Sequence, residues 1–128
     1  MTSGEDCKNN LRRRTKAFAS LVVRIYIRLD KRREEIRVLG RQLLRSGTSV
    51  AANYRESSRT RTVDEFVANA ELCTQEADET QFWLELLRDD GGVPADLIEP
   101  IWREADELIA IIVKMAKRAK SRQEREDN

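Results

Sequence analysis

Apolar residues recur at steps of three and four along four successive stretches of this 128-residue chain. This spacing is the period of an amphipathic helix, because it brings the apolar side chains onto one face. The third stretch shows it most regularly, in a row that consists of Phe66, Ala70, Cys73, Ala77, Thr80, Leu84 and Leu87. We predict helices over about residues 11–29, 33–57 and 63–90, and a fourth that begins at about Pro94.

Four helices of similar length with short connections favour antiparallel neighbours. The sequence therefore predicts an all-α fold, an antiparallel up-down-up-down four-helix bundle over residues 11–120. Residues 1–10 are predicted to form a disordered tail, and residues 121–128 a frayed polar tail. Gly47 leaves a kink open as an alternative to one continuous second helix, since glycine costs about 1 kcal/mol relative to alanine there. The apolar row keeps its phase across Gly47, which favours the continuous helix.

Local signals mark both ends of the third helix. Thr62 and Glu65 have the spacing of a capping box, in which the Thr62 hydroxyl accepts from a first-turn amide. Gly91 and Gly92 follow the last apolar position, as expected of a glycine stop at a helix carboxyl end.

Charge divides the chain into two unlike halves. Residues 1–62 carry 16 Lys and Arg against 6 Asp and Glu, whereas residues 63–128 carry 8 against 17. The second helix and its extension present arginines within an arc of about 80° at 100° per residue, opposite the apolar row. This arginine ridge consists of Arg37, Arg41, Arg45, Arg55 and Arg59, and it is extended by Arg61, Arg12, Arg13, Arg14 and Lys16. Guanidinium groups match phosphate oxygens, so the ridge predicts RNA or DNA binding; a solvated or ion-paired face is the alternative.

Acidic residues form a second row on the third helix. Glu71, Asp78 and Glu85 stack at intervals of seven, and we call them the acidic stack. A carboxylate metal site in a bundle takes Glu from several helices together with histidine, and this chain has no histidine. We therefore predict no metal, and we assign the acidic stack to charge pairing with the basic half of a neighbouring subunit.

An enzyme is not expected from this sequence. Without histidine the chain lacks the commonest general base and the usual partner of a nucleophilic Ser or Cys. Ser46 and the other hydroxyls of the second helix have no nucleophile elbow around them, and no glycine-rich phosphate loop is present. We expect no catalytic residue and no cofactor; an enzyme with a carboxylate metal site is the remaining alternative.

Localisation is predicted from the absence of two signals. No apolar run approaches the roughly 20 residues that span a bilayer. The first residues lack the basic-then-apolar order of a signal peptide. We expect a cytoplasmic protein with no membrane partner.

Some apolar residues fall outside the inward faces of the predicted helices. They are Val23 and Ile27 in the first helix and Phe82 and Leu86 in the third. A lone bundle needs one apolar stripe of roughly 100° per helix. The surplus therefore predicts burial against another subunit, and with the charge division it favours a homo-oligomer.

Several segments resemble a known family. They are Arg-Thr-Lys-Ala-Phe from Arg14, the run from Gly40 to Glu56 that contains Gln-Leu-Leu-Arg-Ser-Gly-Thr-Ser, Glu76-Ala-Asp-Glu-Thr with Trp83-Leu-Glu-Leu-Leu, and Glu104-Ala-Asp-Glu-Leu-Ile-Ala. They are similar to the bacterial four-helix bundle proteins related to the 23S rRNA intervening-sequence protein, over about residues 12–120.

The resemblance implies a homopentameric, barrel-like ring of bundles. Distant relatives include the accessory protein of diversity-generating retroelements, a bundle pentamer that binds nucleic acid and a reverse transcriptase. Within the matching motif, Arg41 and Arg45 are the positions to which nucleic-acid contact carries over.

Two functional hypotheses follow from these observations. The first is a non-enzymatic, ring-forming helical bundle that binds RNA or DNA through a basic surface on the first and second helices. The alternative is a structural or adaptor oligomer, whose basic surface is used in contacts between subunits and with a protein partner.

Overall fold

The structure, a computed structural model, describes residues 4–127, with side chains from Lys8 onward. These residues form four helices and no strand. The helices are α1 (Gly4–Arg28), α2 (Glu34–Ser57), α3 (Val63–Asp89) and α4 (Ala95–Asp127). The all-α prediction is confirmed, and the bounds predicted for the second and third helices agree with α2 and α3 to within one residue. None of the described helices is long and apolar enough to cross a membrane.

Both ends of the chain are more helical than the sequence predicts. Residues 4–10 of the predicted disordered tail belong to α1, and residues 121–127 of the predicted frayed tail belong to α4. Residues 1–3 and residue 128 lie outside the described residues. Residues 121–127 contain Glu, Gln and Arg without Gly or Pro, and such residues continue a helix at little cost.

The ends of α3 follow from the local signals in its sequence. Thr62 caps the helix, and its hydroxyl accepts a hydrogen bond from the Glu65 N–H at 3.1 Å. The Glu65 carboxylate accepts from the Arg61 N–H at 3.3 Å, one residue before the amide that a capping box uses. At the other end Gly92 adopts a positive φ of 74°, which suits glycine, and the Val93 N–H donates to the Leu87 carbonyl at 3.0 Å.

Two glycines allow α1 and α2 to approach closely. A Cβ atom at Gly47 would lie 2.7 Å from both methyl carbons of Val22, and one at Gly40 would lie 2.9 Å from Leu29 Cδ1. α2 runs through Gly47 as one continuous helix, as the phase of its apolar row predicts. The glycine is therefore required by packing, which offsets its low helix propensity.

Each helix packs against the next along the chain, and α4 packs against α1. Residues pair in reverse order along α1 and α2: the Tyr54 hydroxyl donates to the Lys8 carbonyl at 3.4 Å, while Leu29 lies against Gly40. The four helices enclose one core. Its members that are wholly removed from solvent include Phe18, Val22, Leu43, Val50, Leu84, Leu87, Ile98 and Leu108.

Candidate nucleic-acid interface

The arginine ridge lies on the outer face of α2 and just beyond its end, and all five of its members are exposed. Two of them are ion-paired within the bundle. Arg45 reaches α3, where it pairs with Glu76 at 3.3 Å and also with Glu79. The hydrogen bond to Glu79 is the main reason that the pKa of Arg45 is raised. Arg37 pairs with Glu34 within α2.

The other three members of the ridge are Arg41, Arg55 and Arg59. Among the described residues none of their guanidinium groups has an ion-pair or hydrogen-bond partner. The ridge is therefore not uniform: Arg37 and Arg45 already contact carboxylates, while Arg41, Arg55 and Arg59 are left for another molecule.

A concentrated basic surface lies where the start of α1 runs beside the end of α2. It is a groove of about 440 Å³, which we call the basic groove. Its lining residues are Asn9, Arg12, Arg13, Lys16 and Arg55. The four from α1 are spaced at i, i+3, i+4 and i+7, which places them on one helical face.

Four cations line the basic groove, and no carboxylate does. In the described part of the chain none of the four has an ion-pair partner. Arg55 joins the α1 residues because its neighbour Tyr54 contacts the Lys8 carbonyl, which holds the end of α2 beside the start of α1. The structure thus brings Arg55 of the ridge together with three of the cations predicted to extend it.

Arg14, another cation of that extension, faces a different way. Its guanidinium donates to both carboxylate oxygens of Glu104 on α4, at 2.7 and 2.8 Å, and also contacts Glu107. The Glu104 hydrogen bond is the main reason that its pKa is raised. Arg14 therefore joins α1 to α4 and does not belong to the basic groove.

The acidic stack lies on the side of α3 that faces α4. Glu85 accepts a hydrogen bond from the Trp102 indole N–H at 2.9 Å, and Glu71 lies 3.9 Å from the Lys120 ammonium. Asp78 is exposed and has no side-chain partner among the described residues. Two members of the stack therefore contact α4 of the same chain, and their role between subunits stays a prediction.

Two side chains with potentially nucleophilic groups, Ser46 and Cys73, are held in the core. Ser46 is buried, and its hydroxyl oxygen accepts from Thr80 at 2.9 Å. Cys73 is also buried, and desolvation raises its pKa to about 12, so the thiol stays protonated at neutral pH. Residues 8–127 contain no group of three His, Cys, Asp or Glu side chains placed to hold a metal ion. None of these groups is an activated nucleophile, and the absence of catalysis stays a prediction.

The apolar residues that fall outside the predicted inner faces also lie outside the core. Ile27 is 68% exposed, Phe82 is 50% exposed and Val23 is 38% exposed, while Leu86 is half-buried. The Phe82 ring packs edge-on against Trp83, with ring centroids 4.9 Å apart. Their position outside the core is as predicted, and their burial against another subunit stays a prediction.

Comparison with known proteins identifies the chain. The model of the 23S rRNA-intervening sequence protein family matches residues 8–114. The chain belongs to this family. The match includes the whole of α2 and α3 and the entire basic groove.

A solved structure has a similar fold. It is a protein of unknown function from the S23 ribosomal protein family of Bacteroides thetaiotaomicron VPI-5482. It is 28% identical to this intervening-sequence family member, with a TM-score of 0.78 over 86% of this chain and 97% of that one. No curated protein matches the chain.

Proposed function

We propose that this member of the intervening-sequence protein family is a non-enzymatic helical bundle that assembles into a ring and binds RNA or DNA through the basic groove. The observation that carries the proposal is the set of four cations lining one groove without a carboxylate among them. Placing four cations close together costs electrostatic free energy, and no carboxylate lines the groove to reduce that cost. A bound phosphate backbone reduces it.

The second part of the proposal is that the bundles assemble into a ring. We take the helices to run antiparallel, up-down-up-down, which the reverse order of contacts between α1 and α2 supports. A closed ring of more than two copies uses a head-to-tail interface, in which two different surfaces meet. Exposed Asp78 and the exposed apolar residues Ile27 and Phe82 support such an interface, and the family resemblance favours five copies.

The rival function is a structural or adaptor oligomer whose cations bind carboxylates of a neighbouring subunit or partner protein. Arg41 and Arg59 are exposed and unpaired in the described chain and could serve that function, whereas Arg45 and Arg37 already contact carboxylates of their own chain. The basic groove favours nucleic acid, because its cations are close-set on two helices and remain unpaired in the described chain. Arg55 in the groove is thus a stronger candidate for phosphate contact than Arg45.

Neutralising the groove tests the proposed function. The triple variant Arg12→Gln, Arg13→Gln, Lys16→Gln keeps good helix formers in α1. We expect the full chain to bind an RNA of about 20 nucleotides at low salt, with an affinity that falls as salt rises. In the variant that affinity should fall at least tenfold, and the slope of log K against log salt should become shallower by about 2, at about 0.7 per lost contact on a single strand.

A matched control variant removes the same number of positive charges outside the groove. Arg24→Gln, Arg28→Gln, Arg103→Gln also removes three exposed cations, none of which lines the groove. Binding should be measured by fluorescence anisotropy, with circular dichroism to show that all proteins remain helical. Equal losses of RNA affinity in the two variants would mean that binding depends on net charge alone. Wild-type protein without affinity for RNA or DNA at low salt would overturn the proposed function and favour the adaptor.

A further inference from the structure

The last part of α4 carries a second basic surface, which the division of the chain into halves conceals. Six of the eight cations of residues 63–128 fall between Lys114 and Arg125, and that segment contains one acid, Glu124. Five of them lie at positions of a single helical face, and we call these the α4 basic stripe. The stripe consists of Lys114, Lys117, Arg118, Arg122 and Arg125.

The spacing of the stripe makes it continuous. Its members, with Ser121 at the remaining position, follow the steps i, i+3, i+4, i+7, i+8 and i+11, so they are neighbours along one face. At 1.5 Å per residue the stripe is about 16 Å long. Together with Ser121 and Glu124 these residues line a shallow concavity of about 770 Å³.

The cations of the stripe are exposed and, among the described residues, have no ion-pair partner. Some other cations of the bundle are ion-paired. Arg14 and Arg45 each contact two carboxylates of a neighbouring helix, and Lys120, on another side of α4, lies 3.9 Å from Glu71. The stripe therefore concentrates five cations along three helical turns, and Glu124 is the one carboxylate that lines the same concavity.

The stripe lies at the same end of the bundle as the basic groove. The Lys8 ammonium is 5.6 Å from the centre of the Phe66 ring, which ties the start of α1 to the start of α3. Lys120 contacts Glu71 a little further along α3, which ties the end of α4 to the same region. These two contacts place both basic surfaces at one end of the bundle.

We propose that the α4 basic stripe binds the phosphate backbone of a nucleic-acid duplex, as a second contact surface beside the basic groove. This inference rests on the proposed function, because the ligand is the same. The stripe has no aromatic residue on which unpaired bases could stack, which favours a duplex over a single strand. Gln123 is the one amide in the segment, and it donates to Asp127 at 3.2 Å. The stripe therefore contacts backbone without reading sequence.

The test uses the full chain and a DNA duplex of about 20 base pairs, which is several times longer than the stripe. The variant Lys117→Gln, Arg118→Gln, Arg122→Gln removes three cations from the centre of the stripe and keeps the helix propensity of α4. We expect duplex affinity to fall at least tenfold at low salt. The slope of log K against log salt should become shallower by about 2–3, at about 0.9 per lost phosphate contact on B-DNA.

The groove variant and the three-arginine control, measured in parallel, separate the two proposals. A stripe variant that binds duplex as tightly as wild type, while the groove variant loses affinity, overturns the stripe and supports the groove. A loss of duplex affinity in the stripe variant alone supports the stripe and overturns the groove as a contact for duplex. Wild-type binding to single strands but not to duplex overturns the stripe as a duplex contact, and wild-type protein that binds neither overturns both.

Discussion

Replacing Leu84 by alanine should lower the free energy of unfolding by about 2–5 kcal/mol, and the same change at Leu43 should have a similar effect. Both side chains are wholly removed from solvent, Leu43 on α2 and Leu84 on α3. Truncation loses the transfer free energy of the buried carbons and leaves a cavity that a bundle of rigid helices closes only in part. Urea unfolding at constant protein concentration measures the change.

Leu72→Ala provides the matched control on α3. Leu72 is 46% exposed, so the same chemical change there should cost less than about 1 kcal/mol. Losses below about 1 kcal/mol at both Leu43 and Leu84 would contradict the placement of the inner faces. A loss at Leu72 as large as that at Leu84 would instead show that Leu72 is covered in solution by another subunit.

Replacing Gly47 by valine should lower the free energy of unfolding by about 3 kcal/mol, although valine has the higher helix propensity. A Cβ atom at this position would lie 2.7 Å from Val22 Cγ1 and Cγ2 and 3.0 Å from its Cβ. Val22 is buried and β-branched, so its side chain has no other rotamer into which it can move easily. The clash therefore forces α1 and α2 apart.

The double variant Gly47→Val, Val22→Ala separates this clash from any effect on α2 alone. Removing the Val22 methyl groups should recover part of the stability that Gly47→Val loses, in a double-mutant cycle with a coupling of about 1 kcal/mol or more. A Gly47→Val variant as stable as wild type would mean that α1 and α2 are further apart than the structure shows.

Much of the fold is predictable because it depends on periodicity and on local signals. The apolar rows of α2 and α3 place Leu43 and Leu84 in the core, and the Thr62 cap and Gly92 turn mark the ends of α3. The helical ends of the chain are not predicted. Polarity in those segments predicts a disordered tail at one end and a frayed tail at the other, whereas α1 includes residues 4–10 and α4 continues through residues 121–127 on helix propensity.

The partners of long charged side chains cannot be predicted from the sequence. Arg45 and Arg55 belong to one ridge on the helical wheel, but Arg45 reaches Glu76 on α3 whereas Arg55 lies in the basic groove. The difference depends on how α2 sits between α1 and α3, which periodicity does not specify. Glu85 likewise contacts Trp102 because of the register between α3 and α4.

The α4 basic stripe is found only when charges are counted over short windows of the sequence. Residues 63–128 are acidic in total, yet residues 114–125 carry six cations and one acid. A count in windows of about three helical turns finds this segment, and the helical spacing then places five of its cations on one face. Only the tertiary structure shows that this segment lies at the same end of the bundle as the start of α1 and the end of α2.

Light scattering on the full chain, with and without a short RNA and across a range of salt concentrations, tests the proposed function most directly. We expect the protein alone to have the mass of several chains, and the mass at low salt to rise by that of bound RNA. The bound RNA should dissociate as salt rises while the oligomer stays intact, because its contacts are with phosphates. A mass that is the same with and without RNA at low salt would contradict nucleic-acid binding, and the mass of a single chain would contradict the ring.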